Sequence, residues 1–286
     1  MVAHLPDPIV EVEWLESNLE HVVLCDVRWY LDGRDGRSAY EEGHLPGAVF
    51  VDLEKVLAAP PSDLDGRHPL PSSRKFAREL AKLGIGDDTV VVAYDDQHGT
   101  VASRLVWMLR AIGRKATLLD GGIDAWNGEL EKGPVEREPA EFTATPFPPI
   151  RLALANDVAD AVDADGAVVL DARAPERYRG DIEPIDPRAG HVPGALNAHF
   201  EENFRDGRFK TREELRKHYG TFGVEDDTNV IVYCGSGVTA CVDLLALEHA
   251  GFEKLRLYPG SWSQWANDPN RLAATGEEHA DEPATS

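Results

Sequence analysis

The chain has 286 residues, long enough for two ordinary domains, and its 42% hydrophobic and 28% charged content describes a soluble globular protein. It carries 51 acidic against 29 basic residues, a formal net charge of -22. Nucleic acid and anionic membrane surfaces need a basic face, so neither is expected as a partner. Composition alone leaves open whether this acidity reflects a high-salt habitat or a merely acidic protein.

In chain order, Val22-Val23-Leu24-Cys25-Asp26 reads as a buried strand that ends in an acid. A polar, Gly-rich excursion from Trp29 to Gly43 follows, then His44-Leu45-Pro46-Gly47-Ala48. Ser72 or Ser73 can cap a helix whose Phe76, Leu80 and Leu83 share one face, with Gly84 and Gly86 stopping it. Thr89 to Tyr94 predicts a strand, Asp95 opens a loop, and Leu105, Val106, Leu109 and Ile112 mark a helix. A strand over Ala116–Leu119 leads to Gly121-Gly122 and a short helix carrying Trp126.

The same order then recurs. Val168-Val169-Leu170-Asp171 answers the first strand, and His191-Val192-Pro193-Gly194-Ala195 answers the first histidine motif. Val232-Tyr233-Cys234 answers Ala93-Tyr94-Asp95, and the segment ending at Trp265 answers the one ending at Trp126. The offsets are 145 (26 to 171), 147 (44 to 191), 139 (95 to 234) and 139 (126 to 265), so the chain holds two copies of one module. Alternating strands and helices make each copy α/β, with a mainly parallel sheet flanked by helices. The expected organisation is a first domain over 1–132, a Pro-rich linker over 133–150, a second domain over 151–275 and an acidic, disordered tail over 276–286.

The copies differ where chemistry is expected. Val230 to Tyr233 runs into Cys234, and Gly235-Ser236-Gly237-Val238-Thr239 then feeds an apolar helix. Loop N–H groups and a helix N-terminus favour thiolate over thiol, which makes Cys234 the candidate nucleophile. Asp95 at the matching place cannot carry sulfur, so the second copy alone is expected to be catalytic. Cys25 and Cys241 read as core residues. Three cysteines give no complete set of disulfides and no metal-site spacing, so neither metal nor cofactor is expected. No signal segment or membrane span is visible, and a chain keeping a free thiol suits the reducing cytoplasm. His44 and His191, present in both copies, read as structural turn residues, and Asp26 and Asp171 as loop-organising carboxylates.

The doubled His-x-Pro-Gly-Ala motif, the Gly-x-x-x-Trp element and the lone second-half cysteine resemble the tandem-domain sulfurtransferases of the rhodanese family. Within it, the loop from Cys234 to Thr239 looks like that of the 3-mercaptopyruvate sulfurtransferases, whereas the thiosulfate-using relatives place basic side chains directly after the cysteine. The resemblance implies that Cys234 takes sulfur from a small-molecule donor as a persulfide and passes it to a thiol acceptor such as thioredoxin, or to cyanide. It implies that Arg177 and Arg188 hold the donor's carboxylate and keto group, a task that suits a planar guanidinium. Gly235, Gly237, Val238 and Thr239 complete the expected binding loop. It also implies a proton relay of Ser236, His68 and Glu54, its last two members from the first domain, with Glu54 where an aspartate is usual.

Two further enzyme readings and one non-enzymatic reading compete. A thiosulfate:cyanide sulfurtransferase would recruit its cations from Arg177 and Arg188. Phosphatase relatives of the fold use Cys-x5-Arg, and the sixth residue after Cys234 is Ala240, which gives phosphate no grip. A sulfur-carrier module would need no donor-binding arginines.

Overall fold

The computed structural model describes residues 7–277, so the expected tail falls almost wholly outside the described residues. The chain forms two compact units. The first gathers residues 1–59, 70–148 and 204–209; the second gathers 60–69, 149–203 and 210–286. Neither unit is continuous in sequence. A ten-residue piece from the first half of the chain folds with the second unit, and a short piece from the second half folds with the first.

The first unit is built on β1 (Ile9–Val10), β2 (Val22–Asp26), β3 (Val49–Phe50), β4 (Val90–Tyr94) and β5 (Ala116–Leu119), all parallel in the order β1-β5-β4-β2-β3. Four of the five residues in each of β2 and β4 are buried, the near-continuous apolar pattern of a sheet covered on both faces. Ser72 caps the helix Ser73–Lys82 by accepting the N–H of Lys75, and the helix buries Phe76 and Leu80. Phe142 and Phe147 of the proline-rich stretch pack on Phe76, with ring centroids 6.3 and 6.0 Å away. The excursion expected to be irregular contains a helix, Gly36–Glu42, whose N-cap Asp35 accepts from Arg37 and Ser38.

The second unit repeats the plan with β6 (Ala167–Asp171) and β7 (Leu196–Asn197). The hairpin β8 (Phe204–Arg205) and β9 (Arg208–Phe209) belongs to the first unit, where the Phe209 N–H reaches the Asp120 carboxylate at 3.0 Å. The second sheet is completed by β10 (Asn229–Tyr233) and β11 (Leu255–Leu257) in the parallel order β11-β10-β6-β7. The helix Ala240–His249 follows the cysteine loop and is buried over its first eight residues. Its nearly uniform apolarity suits an interior position. No helix among the described residues is long and apolar enough to cross a membrane.

The repeat extends to individual contacts. In the first unit the Arg28 side chain donates to both oxygens of Asp26 and to the Gly43 carbonyl; in the second, Arg173 does the same with Asp171 and Gly190. His44 stacks on Tyr40 with centroids 4.1 Å apart, and His191 stacks on Tyr178 at 3.7 Å. Each histidine holds its Nδ1 2.8 Å from the tyrosine's carbonyl oxygen. Both rings are fully buried, so these histidines serve the fold of each copy.

Candidate active site

Strand β10 delivers Cys234 to the C-terminal edge of its sheet, the place where open parallel sheets bind ligands. The turn after it is fastened by the element that follows β11. The Cys234 N–H donates to Ser261 Oγ at 3.2 Å, while Trp262 and Ser263 donate their N–H groups to the carbonyls of Cys234 and Gly235 at 3.0 and 2.9 Å. Ser261 holds φ at +52°, a left-handed conformation that a side chain adopts at a cost. Its counterpart in the first unit, Gly122, sits at +58° with no such cost. The second copy therefore accepts strain at a position where a hydroxyl can hold the cysteine's backbone.

Within the loop, the Gly237 N–H donates to Cys234 Sγ at 3.2 Å, a bond that stabilises negative charge on sulfur. Gly237 has φ of +75°, and a methyl group there would lie 2.6 Å from the Pro259 carbonyl oxygen. The fold requires glycine at that place. Cys234 and Ser236 are buried, and Cys241 is buried with its thiol directed at the Gly237 carbonyl, 3.5 Å away. Cys25 lies in the first unit's core, where burial pushes its thiol well above the usual range.

The matching turn in the first unit shows what such a cradle holds when no sulfur is present. Asp95 Oδ1 accepts the N–H groups of Gln97 and Gly99 at 2.8 and 2.7 Å, and Oδ2 accepts those of Val101 and Ala102 at 2.9 Å each. A fixed carboxylate occupies the anion-binding turn. Burial raises its carboxyl above the ordinary range, and the four N–H groups pull it back down.

Around Cys234, the ten-residue piece from the first half of the chain contributes two side chains. His68 places Nδ1 2.8 Å from Ser236 Oγ. Arg67 places Nη2 2.9 Å from where a β-carbon on Gly235 would stand, and Arg177 Nη1 lies 3.4 Å from that same point. Arg67 Nη1 is ion-paired with Asp186 Oδ1. Arg177 Nη2 reaches Glu183 Oε1 at 2.7 Å and Asp186 Oδ2 at 3.3 Å. Burial lifts the Asp186 carboxyl above its ordinary range, and Arg67 opposes that rise.

The sequence-expected residues thus divide. Cys234, Ser236, His68 and Arg177 meet at one loop, lined by Gly235, Gly237, Val238 and Thr239. Arg188 does not join them. Its guanidinium donates to the carbonyls of Arg271 and Trp265 at 2.7 and 2.9 Å and lies over the Trp262 ring, 5.9 Å from its centroid. Arg188 closes the end of the helix Ser261–Trp265 through its two terminal nitrogens, while its buried Nε has no hydrogen-bond partner. Glu54 lies in the first unit, exposed, with its carboxylate taking the Trp29 Nε1–H at 3.4 Å. His68, expected from the first domain, folds with the second unit. Arg67 was passed over in the sequence, and its adjacency to His68 was the one signal available. No cluster of side chains suited to a metal ion occurs among the described residues.

A buried strand-end cysteine whose sulfur accepts a loop N–H, set in a doubled parallel α/β module, defines the class of fold and the candidate nucleophile. Residues 11–129 and 154–268 each match the Rhodanese-like domain family. The chain is 42% identical over 266 residues to a Pseudomonas aeruginosa protein named "Probable 3-mercaptopyruvate sulfurtransferase", covering 90% of this chain and 93% of that one. It is 41% identical over 263 residues to SseB of Mycobacterium tuberculosis, named for thiosulfate sulfurtransfer, covering 89% of this chain and 91% of that one. The crystal structure of SseA from Escherichia coli, a 3-mercaptopyruvate sulfotransferase by its description, superposes with a TM-score of 0.79 at 35% identity, over 89% of this chain and 98% of that one. The chain belongs to the rhodanese-like family and carries two copies of its domain.

Proposed function

We propose that the protein is a sulfurtransferase that takes sulfur from 3-mercaptopyruvate through a persulfide on Cys234. The observation that carries this reading is the loop itself. Cys234 Sγ accepts an N–H from its own turn, no cationic residue follows it in the loop, and Arg177 lies beside Gly235. The relatives named for 3-mercaptopyruvate support it.

The Cys234 thiolate attacks the donor sulfur, a sulfur–sulfur bond forms, and the donor's carbon–sulfur bond breaks. The electron pair of that bond leaves as the enolate of pyruvate, which must gain a proton. Ser236, hydrogen-bonded to His68 and two residues after Cys234, is a group suited to supply it, with His68 replenishing the hydroxyl. An acceptor thiolate or cyanide then attacks the outer sulfur and releases the Cys234 thiolate. Thioredoxin and cyanide are acceptors of suitable chemistry, and the reducing cytoplasm is the compartment in which a buried free thiol persists.

One observation favours a second reading. Arg67 and Arg177 bring two guanidiniums to the loop, and a relative is named for thiosulfate. Turnover of the two donors with one acceptor separates them, and a clear thiosulfate preference overturns the first reading. Protein incubated with 3-mercaptopyruvate should gain the mass of one sulfur atom at Cys234 and lose that gain in Cys234→Ser. Absence of the adduct, or its survival in the variant, overturns the assignment.

A further inference from the structure

We propose that Arg67 is a donor-binding residue, paired with Arg177 in a two-guanidinium grip on the carboxylate and keto oxygens of a 2-oxo acid. The proposal rests on the reading that the donor is 3-mercaptopyruvate. Two positive ends from distant parts of the sequence converge on the side-chain face of Gly235, the residue after the nucleophile, at 2.9 and 3.4 Å from its missing β-carbon. A β-carbon there would press on the Arg67 guanidinium, so glycine lets both positive ends come up against the loop.

The acids around the pair set its direction. Asp186 takes Nη1 of Arg67 and Nη2 of Arg177, and Glu183 takes the same Nη2 of Arg177. The nitrogens nearest Gly235, Nη2 of Arg67 and Nη1 of Arg177, are the opposite ends of the two forks. Both acid side chains are only 3% exposed, so the guanidiniums are held before donor arrives and lose little freedom on binding. Glu183 also takes Nη1 of Arg173 at 3.4 Å, which fixes that carboxylate from a second side.

The same short segment places Arg67 and His68. The Arg67 N–H donates to Ser263 Oγ at 3.0 Å, the Gly66 N–H donates to the Ser62 carbonyl at 2.8 Å, and Gln264 Nε2 bonds the Leu64 carbonyl. Anchoring on the element that fastens the Cys234 turn keeps guanidinium, imidazole and sulfur in one frame.

The test compares wild type, Arg67→Gln, Arg67→Lys and the double variant Arg67→Gln/Asp186→Asn, with 3-mercaptopyruvate as donor and pyruvate as competitive inhibitor. Removal of a charge-assisted hydrogen bond to the donor should raise KM about ten- to a hundredfold in Arg67→Gln, with kcat within a few-fold of wild type. Pyruvate inhibition should weaken by the same factor, and Arg67→Lys, which keeps charge without the fork, should fall between. The double variant should keep the raised KM. If Arg67 only neutralises Asp186, the double variant recovers the wild-type KM, and that recovery overturns the proposal. An active wild type with an unaffected Arg67→Gln variant overturns it too. A wild type without mercaptopyruvate turnover instead overturns the functional reading, and the proposal falls with it.

Discussion

His68 and Ser236 stand 168 residues apart in sequence, yet His68 Nδ1 lies 2.8 Å from Ser236 Oγ inside one compact unit. The contact joins a residue before the first copy's second half to the residue two after the nucleophile. A bond of this length between imidazole and hydroxyl is the geometry of proton transfer.

His68→Gln should therefore lower kcat with 3-mercaptopyruvate by roughly ten- to a thousandfold while leaving KM within a few-fold. The enolate needs its proton only in the first half-reaction. Persulfide already loaded on Cys234 should still transfer to an acceptor thiol at the wild-type rate in single turnover. Equal losses in both half-reactions would show that His68 only shapes the loop.

Arg188→Met separates a structural arginine from a binding one. The variant leaves the carbonyls of Trp265 and Arg271 without their donor and should cost about 2–3 kcal/mol, read as a lower melting temperature. Its KM for 3-mercaptopyruvate should stay close to wild type at a temperature where it is folded. A raised KM at unchanged stability would return Arg188 to the donor site.

Asp95→Asn tests the carboxylate that fills the first unit's turn. An amide offers one acceptor oxygen to four N–H groups and turns its own donors toward two of them. The expected loss is about 2–4 kcal/mol of stability, with kcat and KM unchanged in the folded protein. A specific loss of turnover without loss of stability would give the first copy a direct part in the reaction.

Asp120 gives a pH prediction. Burial pushes its carboxyl up to about 6, against the pull of the Phe209 N–H. The folded value lies above the ordinary 3.8, so folding favours the protonated form. Its contribution to stability is complete below about pH 4 and is lost as pH rises through about 6. Asp120→Asn keeps an oxygen for Phe209 and removes the charge. Melting curves from about pH 4 to pH 7 should fall less for the variant than for wild type, by roughly 1–2 kcal/mol. Parallel curves would remove Asp120 from the pH response.

Much of the fold was legible in the chain because its signals are local. Short apolar runs predicted β2, β4 and β5 within a residue, and the Ser72-Ser73 pair marked its helix start. The helix Gly36–Glu42 was missed because its one strong signal, the Asp35 cap, stands among glycines and charges. The doubled motif and the exchange of Asp95 for Cys234 pointed to the candidate nucleophile and to the copy expected to carry it. Those calls need only residue type, spacing and comparison of the chain with itself.

The surroundings of the sulfur were decided by tertiary structure. Arg177, Arg188 and Arg67 are chemically alike in a sequence, and each carries the same five donors. Their roles follow from what neighbours claim those donors. Arg188 spends its bonds on the carbonyls of Trp265 and Arg271, while Asp186 and Glu183 hold Arg177 and Arg67 by one end and leave the other toward Gly235. Residues 60–69 show the same limit: nothing local reveals that a segment of the first half folds with the second unit. The sequence by itself singled out Cys234 as the candidate nucleophile. Only the folded path of the chain decided which cations and which imidazole reach the loop after it, because the competition for hydrogen-bond donors and acceptors is settled among neighbours in space.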